Sequence, residues 1–266
     1  MIESHVRSGA LVTVAAVECE LNSARRMGVL EIDGDNRILA FEEKPDNPKT
    51  VPGRPGSAWV SMGVYLFEST ALAEGISAKL SSEANTDFGR DILPRLARSE
   101  SVFAYPFRDE KGNYWRDIGT LDSYYEASMD LVKVVPPFNL YDAAFPVHSS
   151  TRPRPPAKTV FAGGEKGRMG IALDSLLCNG CIVSGGRVER SILSPDVRIN
   201  SYSLVEDSIL FDRVEVGRSA KIRRAIIDKD VRIPPGVCIG YNLGEDAKRF
   251  KVTESGVVVV PKGEPI

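Results

Sequence analysis

The feature that most constrains this chain is a repeat of about 17 residues in its C-terminal part. Written from the serine or alanine that opens each unit, it runs SLLCNGCIVSGGRVER (175–190), SILSPDVRINSYSLVED (191–207), SILFDRVEVGRSAKIRR (208–224) and AIIDKDVRIPPGVCIG (225–240). The unit starts lie 16, 17 and 17 residues apart. Ile192, Ile209 and Ile226 match across units, as do Val197, Val214 and Val231, and Ser203, Ala220 and Val237. These small or aliphatic positions follow one another at intervals of five, six and six residues. A helix needs a 3.6-residue period, and a generic sandwich gives no reason for a register held three times. Three inward positions per turn predict a triangular parallel β-helix, with one short strand on each face. Gly and Asn (Asn179, Gly180, Gly185, Gly186, Asn200, Gly217 and Gly236) suit its tight corners. The open ends and flat faces of such a coil predict a homo-oligomer.

Residues 11–133 have a different texture, that of a mixed α/β domain. LVTVAAVEC (11–19) and SAWVSMGVYLF (57–67) read as strands. MGVLEID (27–33) and RILAFEE (37–43) flank Gly34, Asp35 and Asn36, which predicts a hairpin. A helix is predicted over 69–80 with Ser69 as its cap, and another over 87–100 starting at Asp87 and bent or ended at Pro94. VFAYPF (102–107) returns as a strand, and TLDSYYEASMDLVK (120–133) spaces Leu121, Tyr124, Tyr125, Met129 and Leu131 along one helix face. Six prolines then mark residues 134–158 as an extended linker. The expected domains are therefore 1–134 (α/β), 135–174 (linker) and 175–266 (coil). A net charge of −2 offers no basic field for nucleic acid. No apolar run approaches the roughly 18 residues of a membrane span, and MIESHVRSGA has no signal-like apolar core. Cys178 and Cys181 form a C-x-x-C, but it sits in the strand repeat, without zinc-ligand spacing elsewhere. Cys19, Cys178, Cys181 and Cys238 read as reduced thiols of a cytoplasmic protein.

Several polar residues stand at strand ends or in apolar strands. In FEEKP, Glu43 and Lys44 read either as a solvated turn or as a carboxylate for sugar hydroxyls beside a cation for phosphate. Gly28 follows Arg25, Arg26 and Met27 at a strand start. Ser61 is either a satisfied core serine or a ligand hydroxyl. Asp117, in NYWRDIGT, either caps the following helix or holds Mg²⁺, which favours few carboxylates plus substrate phosphates.

The combination of FEEKP, VSMGVY, DFGRDILP and YWRDIGT with a Pro-rich linker and a triangular coil resembles the sugar-nucleotide pyrophosphorylases. More narrowly it resembles the glucose-1-phosphate adenylyltransferase family, a likeness extended by PPAK (155–158), NSYS (200–203), DAKRF and TESG. The resemblance implies a Rossmann-like nucleotidyltransferase domain, present in part, followed by a left-handed parallel β-helix. It implies that Glu43 and Lys44 hold glucose 1-phosphate, with Lys44 acting in catalysis, and that Gly28 and Ser61 contact ADP-glucose. Asp117 stands at a family metal carboxylate, with Mg²⁺ as cofactor. Lys158 and Lys229 stand where relatives bind an anionic allosteric effector. Met27 departs from the usual Phe of the family. The glycine-rich nucleotide loop and a second metal carboxylate would fall upstream of Met1. AGGEKG (162–167) has no strand–loop–helix context to replace that loop. The implied reaction is ATP plus glucose 1-phosphate giving ADP-glucose and pyrophosphate, and the chain alone is expected to be inactive. A non-catalytic regulatory fragment, and a mannose-1-phosphate guanylyltransferase, are the alternatives.

Overall fold

The computed structural model describes residues 1–80, 88–97, 101–107, 114–148, 152–163 and 167–266. Asp87, expected to start a helix, lies outside them, as do residues 98–100 of that helix and the centre of AGGEKG. The chain divides into two units, Met1–Trp115 and Arg116–Ile266. Asp117 falls in the second of these units.

In the first unit, α1 (Ile2–Ser8) ends at Gly9, which is left-handed with φ 59°. β1 (Val12–Glu20), the short α2 (Leu21–Ala24), β2 (Gly28–Ile32), β3 (Ile38–Glu43) and β4 (Ser57–Phe67) follow. After α3 (Ser69–Leu80), a wide π-type turn at Phe88–Ile92 leads into α4 (Leu93–Leu96), and β5 (Val102–Pro106) completes the sheet. Ser69 is itself the first residue of α3, not its cap. Pro94 sits in the first turn of α4, where its missing N–H costs no helical bond. The sheet order is β3-β2-β4-β1-β5, with β1 and β5 parallel and the other pairs antiparallel. The β2–β3 turn forms because Asp33 Oδ1 accepts the N–H groups of Asp35 and Arg37, each at 2.9 Å, while Asn36 takes φ 63°. Strand alternation gives the sheet two apolar faces. Leu30, Phe41, Val12, Ala16, Leu93 and Ala104 cluster on one, and Val17, Val29, Val60 and Ala24 on the other.

The second unit is the predicted coil. Its first face stacks 158–160, 182–184, 198–199, 215–216 and 232–233 as parallel strands. Its second face stacks 171–173, 187–189, 204–206, 221–223 and 238–239. The third stacks 176–177, 192–193, 209–210 and 225–227, with 258–260 and 251–252 closing it. The coil thus takes its first strands from within the stretch expected to be linker.

The interior holds Val183, Ile199, Val216 and Ile233 from the first face, Val188, Val205, Ile222 and Ile239 from the second, and Leu193, Leu210 and Ile227 from the third. Val197, Val214, Val231 and Ala220 join this core, and Ser203 is also buried. The isoleucine set corrects the sequence reading. Ile192, Ile209 and Ile226 are in register as expected, yet they pack outside the coil, beneath the helix α5 (Leu121–Asp130). The inward residue is the next one along, because a strand alternates sides at every residue. The inward position two residues earlier is Ser191, Ser208 or Ala225, all fully buried. Small residues are needed there, and the serines form a ladder. Ser208 N–H donates to Ser191 Oγ and Ala225 N–H to Ser208 Oγ, each at 3.1 Å.

The corners are left-handed, and glycine fills only some of them. Gly180, Gly185 and Gly236 do so, but Tyr202, Asp207, Arg213, Arg224 and Asp230 also take positive φ. Each such residue costs roughly 1–2 kcal/mol. Bonds to the preceding turn offset this. Asp207 N–H donates to Glu189 O and Arg224 N–H to Glu206 O, each at 3.1 Å, and Arg190 grips both oxygens of Asp207 at 2.7 and 2.9 Å.

Helix α5 starts at Thr120, whose side chain and that of Ser123 cap each other's backbone N–H groups. Tyr124, Tyr125 and Met129 cover the third face. Tyr125 Oη donates to Asp207 O at 2.6 Å, and Asp122 accepts from Thr253 and Ser255. Those two bonds hold the Asp122 carboxyl below the usual aspartate range.

Candidate functional site

Four of the expected site residues fall in the first unit, and the sheet brings three of them into one line. Gly28 pairs with Glu43 across β2 and β3. The β2–β4 register, Val29 to Val60 and Leu30 to Trp59, carried one residue further, sets Gly28 beside Ser61. Ser61 in turn pairs with Ala16, and Ala16 with Pro106. Residues opposite one another project to the same face. The transverse row Glu43–Gly28–Ser61–Ala16–Pro106 therefore lies on the face that carries Leu30 and Phe41.

Gly28 is required by space. A Cβ there would lie 2.5 Å from Phe41 Cζ and 3.0 Å from Glu43 Oε2. The ring and the carboxylate thus cover the bare backbone. Ser61 is buried, and its hydroxyl accepts the Gly63 N–H and bonds to the Tyr65 hydroxyl, both at 3.1 Å. These bonds exist because the β1–β4 register shifts between Val14 and Ala16, where Gly63 turns left-handed.

Lys44 ends β3 with φ 52°. Among the described residues of this unit, it and the turn residue Asn36 are the non-glycine residues with positive φ. Its N–H donates to Met27 O at 3.0 Å, and buried Pro45 follows. The reversed φ brings Lys44 Nζ to 3.8 Å from Glu43 Oε1, while its side chain stays 56% exposed. An ion pair this open contributes about 0–1 kcal/mol, so the ammonium remains available to an external anion. Strain at an exposed charged residue beside a largely buried carboxylate suits a ligand site.

Asp117, Lys158 and Lys229 belong to the second unit. Asp117 is exposed, and its Oδ1 accepts the Gly119 N–H at 3.0 Å just before α5. Among the described residues no group of three or more His, Cys, Asp or Glu side chains is placed to hold a metal. A single hard carboxylate with one oxygen turned to its own loop fits Mg²⁺, which takes its remaining ligands from phosphate and water. Lys158 stands on the first turn of the coil's first face, paired with Ile182. Lys229 precedes the corner at Asp230, on the fifth turn, and its N–H donates to Asp228 Oδ1 at 2.7 Å. At the roughly 4.8 Å spacing of stacked strands, about 19 Å of coil separates the two lysines. The structure does not bring them together.

Sequence reasoning missed Phe41 and Tyr65, which set the shape of the row. Their signal was register: once β2 and β3 form a hairpin, Phe41 and Glu43 share a face over Gly28. The thiols are quiet. Burial, with Glu20 and Glu18 nearby, pushes Cys19 up to about 11. Burial also pushes Cys181 to about 11 and raises Cys178. Cys181 Sγ lies 3.1 Å from Ser194 O inside the coil, so the C-x-x-C is a structural pair of thiols. No helix of the described residues is long and apolar enough to cross a membrane.

Comparison with known proteins matches two family models in succession along the chain. Residues 155–260 match the GlmU-like, C-terminal hexapeptide model, the repeat of left-handed parallel β-helices. Residues 1–134 match the Nucleotidyl transferase model. The chain is 50% identical to a glucose-1-phosphate adenylyltransferase of Geobacter metallireducens, over 99% of this chain and 66% of that protein. It is 48% identical to one from an Anaeromyxobacter species (98% and 66%) and 45% identical to glucose-1-phosphate adenylyltransferase 2 of Vibrio cholerae (98% and 65%). It thus spans just under two thirds of the length of these relatives. Nucleotidyltransferases generally use a divalent metal. With its α/β part matched throughout and a hexapeptide coil behind it, this chain belongs to the nucleotidyl transferase family.

Proposed function

We propose that the chain serves a glucose-1-phosphate adenylyltransferase, which converts ATP and glucose 1-phosphate to ADP-glucose and pyrophosphate. The observation that carries this reading is Lys44, held left-handed at the end of β3 beside Glu43, in line with Gly28 and Ser61. The names of the relatives support it.

In this reaction an oxygen of the sugar phosphate attacks the α-phosphorus of ATP, one P–O bond forms, and the bond to the departing pyrophosphate breaks. No protein nucleophile is required. Lys44 holds the sugar phosphate as a point charge and stabilises its developing contacts in catalysis. Glu43 accepts hydrogen bonds from sugar hydroxyls. Gly28 makes room for the Phe41 ring and the Glu43 carboxylate that face the sugar nucleotide, and Ser61 sets the floor beneath it. Asp117 offers its carboxylate to Mg²⁺, which when bound neutralises charge on phosphate oxygens. Lys158 and Lys229 are proposed contacts for an anionic effector, as two separate points. The reading includes a cytoplasmic homo-oligomer.

Titration of the chain with glucose 1-phosphate tests the proposal. Lys44→Ala is expected to weaken binding about tenfold, or ~1.4 kcal/mol. Unchanged affinity removes Lys44 from the site.

A further inference from the structure

The corners that lead into the coil's first face form a ladder of their own. Gly180, Asp196, Arg213 and Asp230 occupy equivalent places, set by the pairing of the strands that follow them, and all four are left-handed, with φ of 82°, 63°, 60° and 64°. Each donates its N–H to the preceding turn. Asp196 donates to Asn179 O at 3.2 Å, Arg213 to Pro195 O at 3.0 Å and Asp230 to Asp212 O at 2.9 Å. Gly180 continues the pattern, but its acceptor is Pro155 O, at 2.7 Å. Pro155 belongs to a strap, residues 154–158, that runs into the coil's first strand and stands in for a preceding turn. Two bonds hold the strap down. Arg154 Nε donates to Asp196 Oδ2 at 2.6 Å, and the Lys158 N–H donates to Cys181 O at 3.0 Å.

The first corner also differs in the residue before it. Pro195, Asp212 and Lys229 hold that place on later turns, and exposed Asn179 holds it on the first. Glycine at 180 is imposed by the fold, because a Cβ there would lie 2.1 Å from Asp196 Oδ1. An asparagine followed by glycine is chemically labile, since no side chain keeps the next backbone nitrogen away from the asparagine amide carbon. In the closed coil both ends of the intervening peptide group are tied: Asn179 O accepts from Asp196, and the Gly180 N–H is held by Pro155 O. A nitrogen fixed in this way neither loses its proton nor turns toward Asn179 Cγ. The end turns of a coil, with one neighbouring turn instead of two, open at lower cost than inner ones.

We propose that Asn179 is a site of spontaneous deamidation gated by the strap. When the strap lifts, the Gly180 nitrogen gives its proton to hydroxide and bonds to Asn179 Cγ. The side-chain nitrogen leaves as ammonia, taking a proton from water and restoring the hydroxide. Water then opens the resulting succinimide at either carbonyl, giving aspartate or isoaspartate. Aspartate adds a negative charge to a corner that already holds Asp196. Isoaspartate inserts an extra carbon into the main chain ahead of strand 182–184, where register decides which side chains face the core. Opening of the coil's first turn is thereby recorded as a covalent change.

The purified chain is aged in mildly alkaline buffer, well below the melting temperature of every variant. Deamidation is followed by mass spectrometry of the tryptic peptide 169–187, in which Asn179 is the only asparagine. The same chain unfolded in urea gives the ungated rate, and the folded chain should fall far below it. Arg154→Ala should deamidate about tenfold faster than the parent while still folded, the effect of ~1.4 kcal/mol on opening of the strap. Lys262→Ala, which removes an exposed ion pair with Asp230 on a later corner, should leave the rate unchanged. A folded parent as fast as the unfolded chain, an Arg154→Ala rate equal to the parent's, or equal acceleration by Lys262→Ala overturns the proposal.

Discussion

Transverse rows organise both units, but they are built differently. In the coil, a row repeats one role on every turn: Val188, Val205, Ile222 and Ile239 all fill the same interior. In the α/β sheet, the row Glu43–Gly28–Ser61 joins three unlike residues from three strands, and each does something no neighbour can do. The difference separates two kinds of sensitivity. Losing one residue of a coil row removes packing that adjacent turns only partly share, so the effect is on stability. Losing one residue of the sheet row leaves most of the fold intact and, on the proposed function, acts on the ligand.

This contrast orders the expected effects. Leu210→Ala, at a fully buried interior position, should cost about 2–5 kcal/mol in chemical denaturation of the chain, with glucose 1-phosphate affinity at the first unit unchanged. A loss of that affinity as well would couple what the comparison separates. Gly28→Ala should do the reverse. Its methyl meets Phe41 and the Glu43 carboxylate, so stability should fall by about 1–3 kcal/mol while glucose 1-phosphate binding falls more than tenfold. Wild-type affinity in Gly28→Ala would remove the row from the site.

Ser208→Ala sharpens the coil side. It deletes the Oγ that accepts the buried Ala225 N–H, and the orphaned donor should cost about 1–3 kcal/mol, read by thermal or denaturant melting. No change would mean that the serine ladder contributes only by being small. The smallest effect concerns Asp122, whose carboxyl is held low by Thr253 and Ser255. A depressed folded pKa gives stability that is full above the unfolded value, near 3.9, and is lost as pH falls through the lower folded value. Asp122→Asn should therefore flatten the acid side of the melting-temperature profile below about pH 4. A profile identical to the parent's would show that α5 is held by its tyrosines alone.

How far each unit could be read from sequence follows from the same contrast. The coil announces itself because equivalent residues recur every 17 positions, and the register of Ile192, Ile209 and Ile226 is right. Their side was not readable. An isoleucine under α5 and a leucine in the interior are chemically alike, and only the third-face helix, formed far upstream in sequence, decides which is which. That helix also explains why the contacts divide the chain at Trp115, ahead of residue 134. Its apolar stripe of Tyr124, Tyr125 and Met129 is visible in sequence, but its partner is not, since the partner lies some 80 residues away at Asp207. In the sheet, the hairpin that sets Gly28 against Glu43 follows from its turn residues. The shape of the site does not. The bulge that gives Ser61 its partners depends on a register shift between β1 and β4, and the left-handed φ of Lys44 contradicts what its local sequence favours.

The most direct test of the account is to observe, residue by residue, where the chain responds to glucose 1-phosphate. Backbone amide chemical shifts in ¹⁵N-labelled protein supply this. The largest saturable changes are expected on Gly28, Glu43, Lys44 and Ser61, and they should disappear in Lys44→Ala. Saturable changes confined to the coil, with that row of the sheet silent, would contradict it.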